Sequence, residues 1–256
     1  MIQPLPLLEK KILVPRGKKQ AKSLSLLIEK HGGIPVEIPL IAFRPIPFGK
    51  YLQKVMTSLH TYDWIIFTSN VAVETFLSFF SKKEYSNLPK IAVIGERTKR
   101  ILNENGLKVR FLPTEYVSET FAEEFSHIVQ TNERVLIPKG NLARDVIAET
   151  LRKKGVTVEE VIVYETYMPD ESRFKLAEML TNKEIDILMF TSPSTVEHFM
   201  GIVAEYKLQS KIEHCLISCI GPVTKEKIES FGLIAHASPE VYTVEEMINS
   251  IIKYLN

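Results

Sequence analysis

Short apolar runs alternate with amphipathic stretches along most of this chain. Six runs rich in β-branched residues (ILV, WIIF, IAVI, VLI, ILMF and LISCI) each end in a polar, glycine or proline turn. An amphipathic stretch with apolar spacing of about 3.6 residues follows each turn. Within the runs apolar residues are continuous, as in strands buried on both faces, so the pattern predicts βαβ units, parallel sheets and the α/β class. Glycines placed to end predicted helices are Gly32, Gly106, Gly155 and Gly232.

The chain also contains a duplication in three pieces. The stretch KILVPRGKKQAKSLSLLIEKHGG, from Lys11, recurs 123 positions later as RVLIPKGNLARDVIAETLRKKGV. With the same shift YDWIIFTSNVAVETF recurs as IDILMFTSPSTVEHF, and with a shift of 126 AVIGERTK recurs as SCIGPVTK. Solenoid repeats run only about 20 to 50 residues, so this period predicts a duplicated domain. Two similar halves that face each other would form a cleft, where ligands preferentially bind.

Two segments lack the strand–helix pattern. Residues 34–46 and 156–168 read as extended chain, and they occupy equivalent places in the two copies. They predict two antiparallel linker strands between two lobes, with the chain crossing twice. In that arrangement residues 1–38 and 169–256 form one lobe, residues 44–163 form the other, and residues 39–43 and 164–168 are the linker strands. Contiguous halves of about 125 residues fit the same periodicity equally well.

Composition narrows the class of protein. The 256 residues include 32 basic and 31 acidic side chains, a balance that gives no bulk field to attract nucleic acid or an anionic membrane. No apolar run reaches the roughly 20 residues that span a bilayer, and the N-terminus lacks the order of a secretory signal. Cys215 and Cys219 are four apart in a predicted strand, too distant for a disulfide. We therefore expect a cytoplasmic protein without nucleic-acid or membrane partners, and we expect a monomer because nothing favours a dimer.

The turns after the six strands are the predicted working surface, because ligands of open parallel sheets bind beyond the carboxyl ends of the strands. These turns are rich in small hydroxyl side chains, glycine and a few cations, and each is predicted to open a helix. Several helix N-termini together make an anion-binding rim, although serine, threonine or asparagine before a helix often serves only as an N-cap. The six turns are residues 15–17, 68–70, 95–98, 138–141, 191–194 and 221–224.

Familiar catalytic signatures are missing from the sequence. It has no G-x-G-x-x-G after a strand, no G-x-x-x-x-G-K-[ST] loop and no closely spaced ligand set that would predict a metal. The six histidines are scattered, and Thr-Ser-Pro-Ser lacks the G-x-S-x-G elbow of a hydrolase. Hydroxyls, backbone amides and cations remain. Such a site suits an anionic, intrinsically reactive substrate that needs orienting more than activating.

Seven short motifs, taken together in this order, resemble the uroporphyrinogen-III synthase family. They are LVPRG, IIFTSNVAVETF, IAVIGERT, VLIPKGN, VIVYETY, ILMFTSPSTVEHF and CIGPVT, and the resemblance extends from Ile12 to about Met247. It implies two similar flavodoxin-like lobes joined by a two-stranded antiparallel β linker, in agreement with the linker strands predicted above. It also implies a lyase that needs no metal and no organic cofactor.

The implied reaction is cyclisation of hydroxymethylbilane, a linear tetrapyrrole octacarboxylate, to uroporphyrinogen III. Water is lost and ring D is inverted through a spiro intermediate. Uncatalysed closure gives the symmetric isomer I, so the enzyme would contribute mainly the conformation of its substrate. A substrate with many carboxylates suits a rim of helix N-termini with cations nearby, here Arg16, Lys18, Lys139 and Arg144.

Carried over residue by residue, the resemblance places the family's linker tyrosine at Tyr164. This phenol is the candidate catalytic group that would hydrogen-bond or protonate the leaving hydroxyl, and an ordinary aromatic residue on a β-ladder is the equally weighted alternative. Val223 stands where some relatives have a second threonine, so that hydroxyl contact is not expected here. The candidate substrate-binding residues are Arg16, Ser69, Thr98, Lys139, Gly140, Asn141, Ser192, Gly221 and Thr224.

Other classes remain open. A two-lobed binding protein without turnover could clamp a small anion with the same architecture, although such proteins are normally exported. A duplicated regulatory module with a response-regulator-like fold would need an acidic cluster at the strand ends, where this chain has Arg, Lys, Ser and Thr with Glu96 as the exception. A glycosyltransferase of two facing lobes is a further alternative, but such enzymes generally have longer chains.

Overall fold

The computed structural model describes residues 5–256, except the side chains of residues 18–20, 84 and 86. The chain divides into two compact units. Unit 1 comprises the described residues up to Ala42 together with Tyr167–Asn256, and unit 2 is Phe43–Thr166. Residues 1–4 of the predicted first lobe lie outside the described part, and the finer boundaries with separate linker strands at 39–43 and 164–168 stay a prediction.

Strands and helices alternate as the apolar pattern predicts. In chain order they are β1 (Lys11–Val14), α1 (Lys18–Lys30), β2 (Ile34–Glu37), β3 (Ala42–Pro45), α2 (Lys50–Thr57), β4 (Trp64–Phe67), α3 (Asn70–Leu77), β5 (Lys90–Val93), α4 (Glu96–Glu104), β6 (Val109–Phe111), α5 (Ser118–Phe125), β7 (Arg134–Gly140), α6 (Val146–Lys153), β8 (Thr157–Tyr167), α7 (Asp170–Thr181), β9 (Ile187–Phe190), α8 (Pro193–Glu205), α9 (Gln209–Ile212), β10 (Leu216–Cys219), α10 (Pro222–Ser230) and α11 (Val244–Leu255), with short 3₁₀ helices at Leu59–Thr61 and Lys82–Asn87. Within residues 5–256 we find no helix of the length and apolarity that crossing a membrane requires.

Unit 1 is built on a four-stranded parallel sheet in the order β10-β9-β1-β2. Successive side chains of a strand point to opposite faces of the sheet. In β1 Leu13 joins one buried apolar cluster, whereas Ile12 and Val14 join another. Helices therefore cover both faces, and this is why the strand reads as a continuous apolar run.

Unit 2 is built on a six-stranded sheet in the order β3-β8-β7-β4-β5-β6, in which β8, β7, β4, β5 and β6 are parallel. The edge strand β3 runs against β8. Arg44 pairs with Glu165, and the Ile46 N–H donates to the Val163 carbonyl at 3.1 Å. Residue numbers fall along β8 as they rise along β3, so the two strands are antiparallel. The predicted extended segments are therefore β2 and β3 in one copy and β8 in the other.

The strand order shows how the duplicated pieces are distributed. The first copy of piece one (β1 and β2) pairs with β9, whereas its second copy (β7 and β8) pairs with β4. The parallel strands of unit 1 lie in the flavodoxin-like order 2-1-3-4, read as β2-β1-β9-β10. Their duplicates in unit 2 lie in the same spatial order, β8-β7-β4-β5 with β6 as the fifth strand, but there β7 and β8 come last in the chain. The α/β class with parallel sheets is confirmed. The alternative of contiguous halves is wrong, because unit 1 combines strands from both ends of the chain, and unit 2 is the continuous segment Phe43–Thr166 between them.

The helix-ending glycines are confirmed in all four predicted places. Each lies one residue beyond a helix C-cap in the left-handed region, with φ between 75° and 87°. This conformation costs other residues free energy but not glycine, so the positions fix where the helices stop. The residues are Gly32, Gly106, Gly155 and Gly232.

One predicted turn is wrong. Residues 138–141 were expected to open a helix, but β7 continues through Gly140 and α6 begins only at Val146. Gly140 pairs with Tyr164 of β8 after a register shift beyond Lys139, and this pairing extends the strand. Such irregularities re-aim side chains at the end of a strand.

The amino-terminal edges of the two sheets carry the same aspartate. The Asp186 Oδ2 accepts the backbone N–H of Lys11 at 2.8 Å, and the Asp63 Oδ2 accepts that of Arg134 at 2.8 Å. Each aspartate also donates its own N–H to the carbonyl of the same partner, at 2.9 and 2.8 Å. The duplicated aspartates therefore tie neighbouring strands together.

The two cysteines are buried and free, as their spacing predicts. Burial raises the pKa of the Cys215 thiol to about 12. The reactive form of cysteine is the thiolate, so Cys215 is inert at neutral pH.

Candidate functional site

A cavity of about 230 Å³ opens at the carboxyl edge of the sheet of unit 2. It lies where β4, β5, β7 and β8 end, against α6 and the first residue of α5. Its lining residues are Thr68, Ser69, Ile94, Ser118, Ile137, Lys139, Ala143, Arg144, Ile147, Ala148, Glu160 and Tyr164. Among the described residues no group of three or more His, Cys, Asp or Glu side chains is placed to hold a metal ion.

Tyr164 borders this cavity from β8, with 8% of its surface exposed. Its phenol oxygen lies 3.3 Å from the Ser69 Oγ, which is long for a pair of hydroxyls. The ring packs edge-on against Phe43, with centroids 5.7 Å apart. The ring is thus closely packed, while its hydroxyl has a long contact with Ser69 in which either oxygen could be the donor.

Gly140 forms the floor beneath the Tyr164 ring. A methyl group at Gly140 would lie 2.5 Å from the Tyr164 Cζ and 2.8 Å from its hydroxyl oxygen. No side chain fits that gap, so the close approach requires glycine. Asn141 fixes the same turn to β8, because its N–H donates to the Tyr164 carbonyl at 3.2 Å and its Oδ1 accepts the Thr166 N–H at 2.8 Å.

Ser69 has two partners in unit 2. It is the N-cap of α3, and its Oγ accepts the Ala72 N–H at 3.1 Å. The same Oγ contacts the Tyr164 phenol. The N-cap interpretation of this turn is therefore confirmed for Ser69, and its role in substrate binding stays a prediction.

Lys139 has a side chain whose charge is already balanced. It is 9% exposed, and its ammonium contacts Asp145 as well as the Glu160 Oε1 at 2.9 Å. Burial opposes the charged form, but the hydrogen bonds to both carboxylates outweigh it and raise the pKa of Lys139 above its usual value. Glu160 also accepts Arg152 at 3.0 Å. In this network the positive charge of Lys139 is balanced by two carboxylates, so Lys139 attracts an incoming anion less than an unpaired cation would.

Arg144 presents a more available charge at the same cavity. Its side chain is mostly exposed and pairs with the exposed Glu119 at 2.9 Å. Exposed ion pairs contribute little free energy, so an incoming anion can replace the glutamate at low cost.

Thr98 does not line the cavity. It is buried in the first turn of α4, and its hydroxyl donates to the Asn70 Oδ1 at 2.8 Å. The equivalent of Asn70 in the other copy is Pro193, which offers no side-chain acceptor. The hydroxyl of Thr98 is therefore used to join α3 and α4.

The remaining candidates lie at the carboxyl edge of unit 1. Arg16 follows β1, is half-buried and has no ion pair with another described residue. Burial lowers the pKa of Arg16 from its usual value. Ser192 and Gly221 are the N-caps of α8 and α10, and Thr224 is buried in the first turn of α10. The side chain of Lys18 lies outside the described residues.

The two partners of Lys139 in unit 2, Asp145 and Glu160, were not found from the sequence. Glu160 meets Lys139 because of the register between β7 and β8, which places Ile137 opposite Glu160, and Asp145 meets it because the loop before α6 returns to the end of β7. Asn70 lies in the predicted turn at residues 68–70, but its hydrogen bond with Thr98 was not predicted; the proline in its place in the second copy marks where the copies differ.

A second cavity, of about 250 Å³, lies at the amino edge of the same sheet. There the Tyr62 phenol donates to the Glu159 Oε2 at 2.6 Å, and Arg134 stacks over the Tyr62 ring at 4.8 Å. Burial and the Glu159 carboxylate raise the pKa of Tyr62 to about 12. This phenol is locked as a hydrogen-bond donor to its carboxylate, unlike that of Tyr164.

Comparison with known proteins gives one consistent family. Residues 22–249 match the family model described as uroporphyrinogen-III synthase HemD. The chain is 26% identical over 253 residues to the uroporphyrinogen-III synthase of Synechococcus elongatus, covering 96% of each protein. It is 29% identical to the porphyrin biosynthesis protein HemD of Ruminiclostridium josui, of whose length it spans 49%.

Solved structures agree in fold. A mutant uroporphyrinogen III synthase of Thermus thermophilus superposes with a TM-score of 0.64 at 18% identity, over 96% of this chain and 98% of that one. The uroporphyrinogen-III synthetase of Helicobacter pylori gives a TM-score of 0.60 at 16% identity, over 96% and 99%. The resemblance drawn from the seven motifs is confirmed.

Proposed function

The chain belongs to the uroporphyrinogen-III synthase family, and from that premise we propose that it cyclises hydroxymethylbilane to uroporphyrinogen III. Water is released and ring D is inverted. The observation that carries the proposal is the phenol of Tyr164. It borders the cavity of unit 2, and its one hydrogen-bond partner among the described residues is the neutral hydroxyl of Ser69.

The first step is departure of the substrate's hydroxyl group. Its oxygen takes a proton, the carbon–oxygen bond breaks, water leaves, and the adjoining pyrrole becomes an azafulvenium-like cation. Tyr164 would donate a hydrogen bond to that oxygen, because its contact with Ser69 is long and can equally be donated by the serine. Hydroxymethylpyrroles lose this group readily, so the phenol assists a reaction that does not depend on it.

The second step sets the isomer. Ring D attacks the cation through its already substituted carbon, and the resulting spiro intermediate fragments and recloses with ring D inverted. Direct closure through the unsubstituted carbon gives isomer I. The enzyme would favour the first route by holding the chain in the spiro-forming pose. Each of these steps uses the substrate's own pyrrole electrons, so the proposal includes no cofactor.

Carboxylate binding is assigned to cations and helix N-termini at the carboxyl edges of both units. Arg16 is the best candidate to bind a substrate carboxylate, because partial burial disfavours its charged form and an anionic partner would offset that cost. Arg144 can exchange Glu119 for a substrate carboxylate. Lys139, balanced by two carboxylates, would contribute least.

Helix N-termini would supply the remaining contacts through backbone N–H groups. Ser69 and Ser192 cap α3 and α8, whereas Gly221 opens α10 without a side-chain cap. Thr98 and Thr224 would act mainly through their amides because both side chains are buried. Gly140 and Asn141 would act by holding Tyr164. We further propose that the enzyme works as a cytoplasmic monomer without a nucleic-acid or membrane partner.

The deciding experiment is an isomer assay. Purified protein is incubated with freshly made hydroxymethylbilane, the products are oxidised, and porphyrin isomers I and III are separated chromatographically. Predominant isomer III that depends on the protein and is unaffected by a chelator is the expected result. Isomer I at the buffer-only rate would reject the proposal and leave the two-lobed anion-binding protein as the better account.

A further inference from the structure

Two exposed tyrosines occupy equivalent places in the two units, and the proposed function uses neither. Tyr116 follows Gly95 by 21 positions, and Tyr242 follows Gly221 by the same 21. Their exposed fractions are 56% and 60%. Neither hydroxyl is hydrogen-bonded to another described residue, so no polar contact explains their positions.

Each tyrosine ring stands beside the glycine that opens a helix at the carboxyl edge. A methyl group at Gly221 would lie 3.2 Å from the Tyr242 Cδ1 and 3.3 Å from its Cγ. A methyl group at Gly95 would lie 4.0 Å from the Tyr116 Cβ and Cγ. The glycines are the N-caps of α10 and α4. Each tyrosine thus lies near its glycine, Tyr242 more closely than Tyr116, and more than half of each residue's surface is exposed.

The same two places carry a second exposed apolar side chain. Val117 follows Tyr116, and Val241 precedes Tyr242; both valines are exposed. Apolar surface in water is unfavourable, so each of these small apolar patches is a surface that a bound aromatic ring would cover. In unit 2 this patch lies at the rim of the cavity, because Ile94 and Ser118, which line it, adjoin Gly95 and Val117 in sequence.

We propose that Tyr116 and Tyr242 are stacking sites for pyrrole rings of the substrate, an inference that rests on the proposed function. A pyrrole of this substrate combines a flat aromatic face with carboxylate side chains. An exposed tyrosine ring beside a free helix N-terminus offers the matching pair, an aromatic face and N–H donors. The pair occurs once in each unit, so each unit offers a pyrrole ring the same two features.

The test compares alanine and phenylalanine at both positions. Tyr116→Ala and Tyr242→Ala are each expected to raise KM for hydroxymethylbilane about three- to tenfold, the range that one aromatic pair supplies. Tyr116→Phe and Tyr242→Phe keep the ring and should stay within about twofold of the wild type. Unchanged KM in the alanine variants would overturn the inference. A rise in KM as large in the phenylalanine variants as in the alanine variants would also overturn it.

Matched controls come from exposed tyrosines elsewhere in each unit. Tyr51 in unit 2 and Tyr254 in unit 1 are exposed to a similar extent, and neither lies at a carboxyl edge. Tyr51→Ala and Tyr254→Ala should leave KM unchanged. If they raise it as much as the edge variants do, general destabilisation explains the effect and the inference is rejected.

A binding measurement separates this inference from the proposed function. Uroporphyrin III, the flat oxidised product, is titrated into each folded variant, and its fluorescence reports Kd without turnover. A Kd that is three- to tenfold higher in the two alanine variants than in the wild type supports stacking even if the wild type makes no isomer III. Equal Kd values for wild type and alanine variants would overturn it even in an active enzyme.

Discussion

The two units repeat each other closely at the amino edges of their sheets and diverge at the carboxyl edges. At the amino edges Asp63 and Asp186 each accept the N–H of the neighbouring strand at 2.8 Å. At the carboxyl edges Tyr164 of unit 2 corresponds to Ile41 of unit 1. The copies therefore share a scaffold, and only unit 2 carries a phenol at this position.

The glycine beneath that phenol shows the same divergence. A methyl group at Gly140 would overlap the Tyr164 ring, whereas one at the equivalent Gly17 would meet nothing within 4 Å. Backbone hydrogen bonds are needed in every copy of a fold, whereas the proposed reaction has one leaving hydroxyl and would need one proton donor. Carboxylates, by contrast, are numerous in the substrate, and helix N-termini in both units can bind them.

Exchange of the two equivalent glycines for alanine should give the largest difference between the units. Gly140→Ala forces the Tyr164 ring or the strand to move, so we expect a loss of about 1–3 kcal/mol in unfolding free energy and a fall of more than about tenfold in isomer III formation. Gly17→Ala should change neither, because its φ of −61° suits alanine. Denaturant titration and kcat/KM check both; identical behaviour of the two variants would mean that the close packing is unimportant.

Removal of the phenol hydroxyl should have the next largest effect. Tyr164→Phe keeps the ring on Gly140, so isomer III should still predominate, while kcat falls about ten- to a hundredfold because proton donation to the leaving oxygen is lost. Tyr62→Phe is the matched control, since that hydroxyl is held by Glu159 at the opposite edge. Steady-state kinetics with isomer analysis measure the effect. Unchanged kinetics in Tyr164→Phe would remove this residue from the mechanism.

The fold was predictable from the sequence because burial of a strand is visible locally. In β4 Ile65 and Phe67 join one buried cluster while Trp64 and Ile66 join the other, which is what a continuous apolar run between two helical layers requires. The duplication then supplied the equivalence of the two units, although it could not decide which pieces share a sheet.

The surroundings of the candidate site were less predictable, because they depend on register. Lys139 reads as a free cation in the sequence, but strand pairing brings Glu160 to it and the loop before α6 brings Asp145. Thr98 reads as a hydroxyl for the substrate, but adjacent parallel strands bring it to Asn70. Neither contact leaves a periodic signal along the chain.

Substitution of the two N-cap serines tests whether the contact between Ser69 and the Tyr164 phenol contributes to turnover. Ser69→Ala and Ser192→Ala both remove a cap, so each should lower the unfolding free energy by about 1 kcal/mol. Only Ser69 contacts Tyr164, so Ser69→Ala should lower kcat a few-fold, whereas Ser192→Ala should raise KM and leave kcat unchanged. Separate measurement of kcat and KM distinguishes the two. Equal kcat losses in both variants would show that the contact with the phenol has no part in turnover.

The duplicated aspartates should give the smallest effect on turnover and the most equal effect on the two units. Asp63→Ala and Asp186→Ala each leave one backbone N–H without its carboxylate partner, so each should lower the unfolding free energy by about 1–2 kcal/mol. Asparagine at either position keeps an acceptor oxygen and should cost less. Denaturant titration and kcat/KM are the measurements, and a loss in only one aspartate variant would contradict the equivalence of the amino edges. Equal losses there, beside unequal losses at Gly140 and Gly17, would locate the functional difference at one end of each sheet rather than in a general divergence of the two copies.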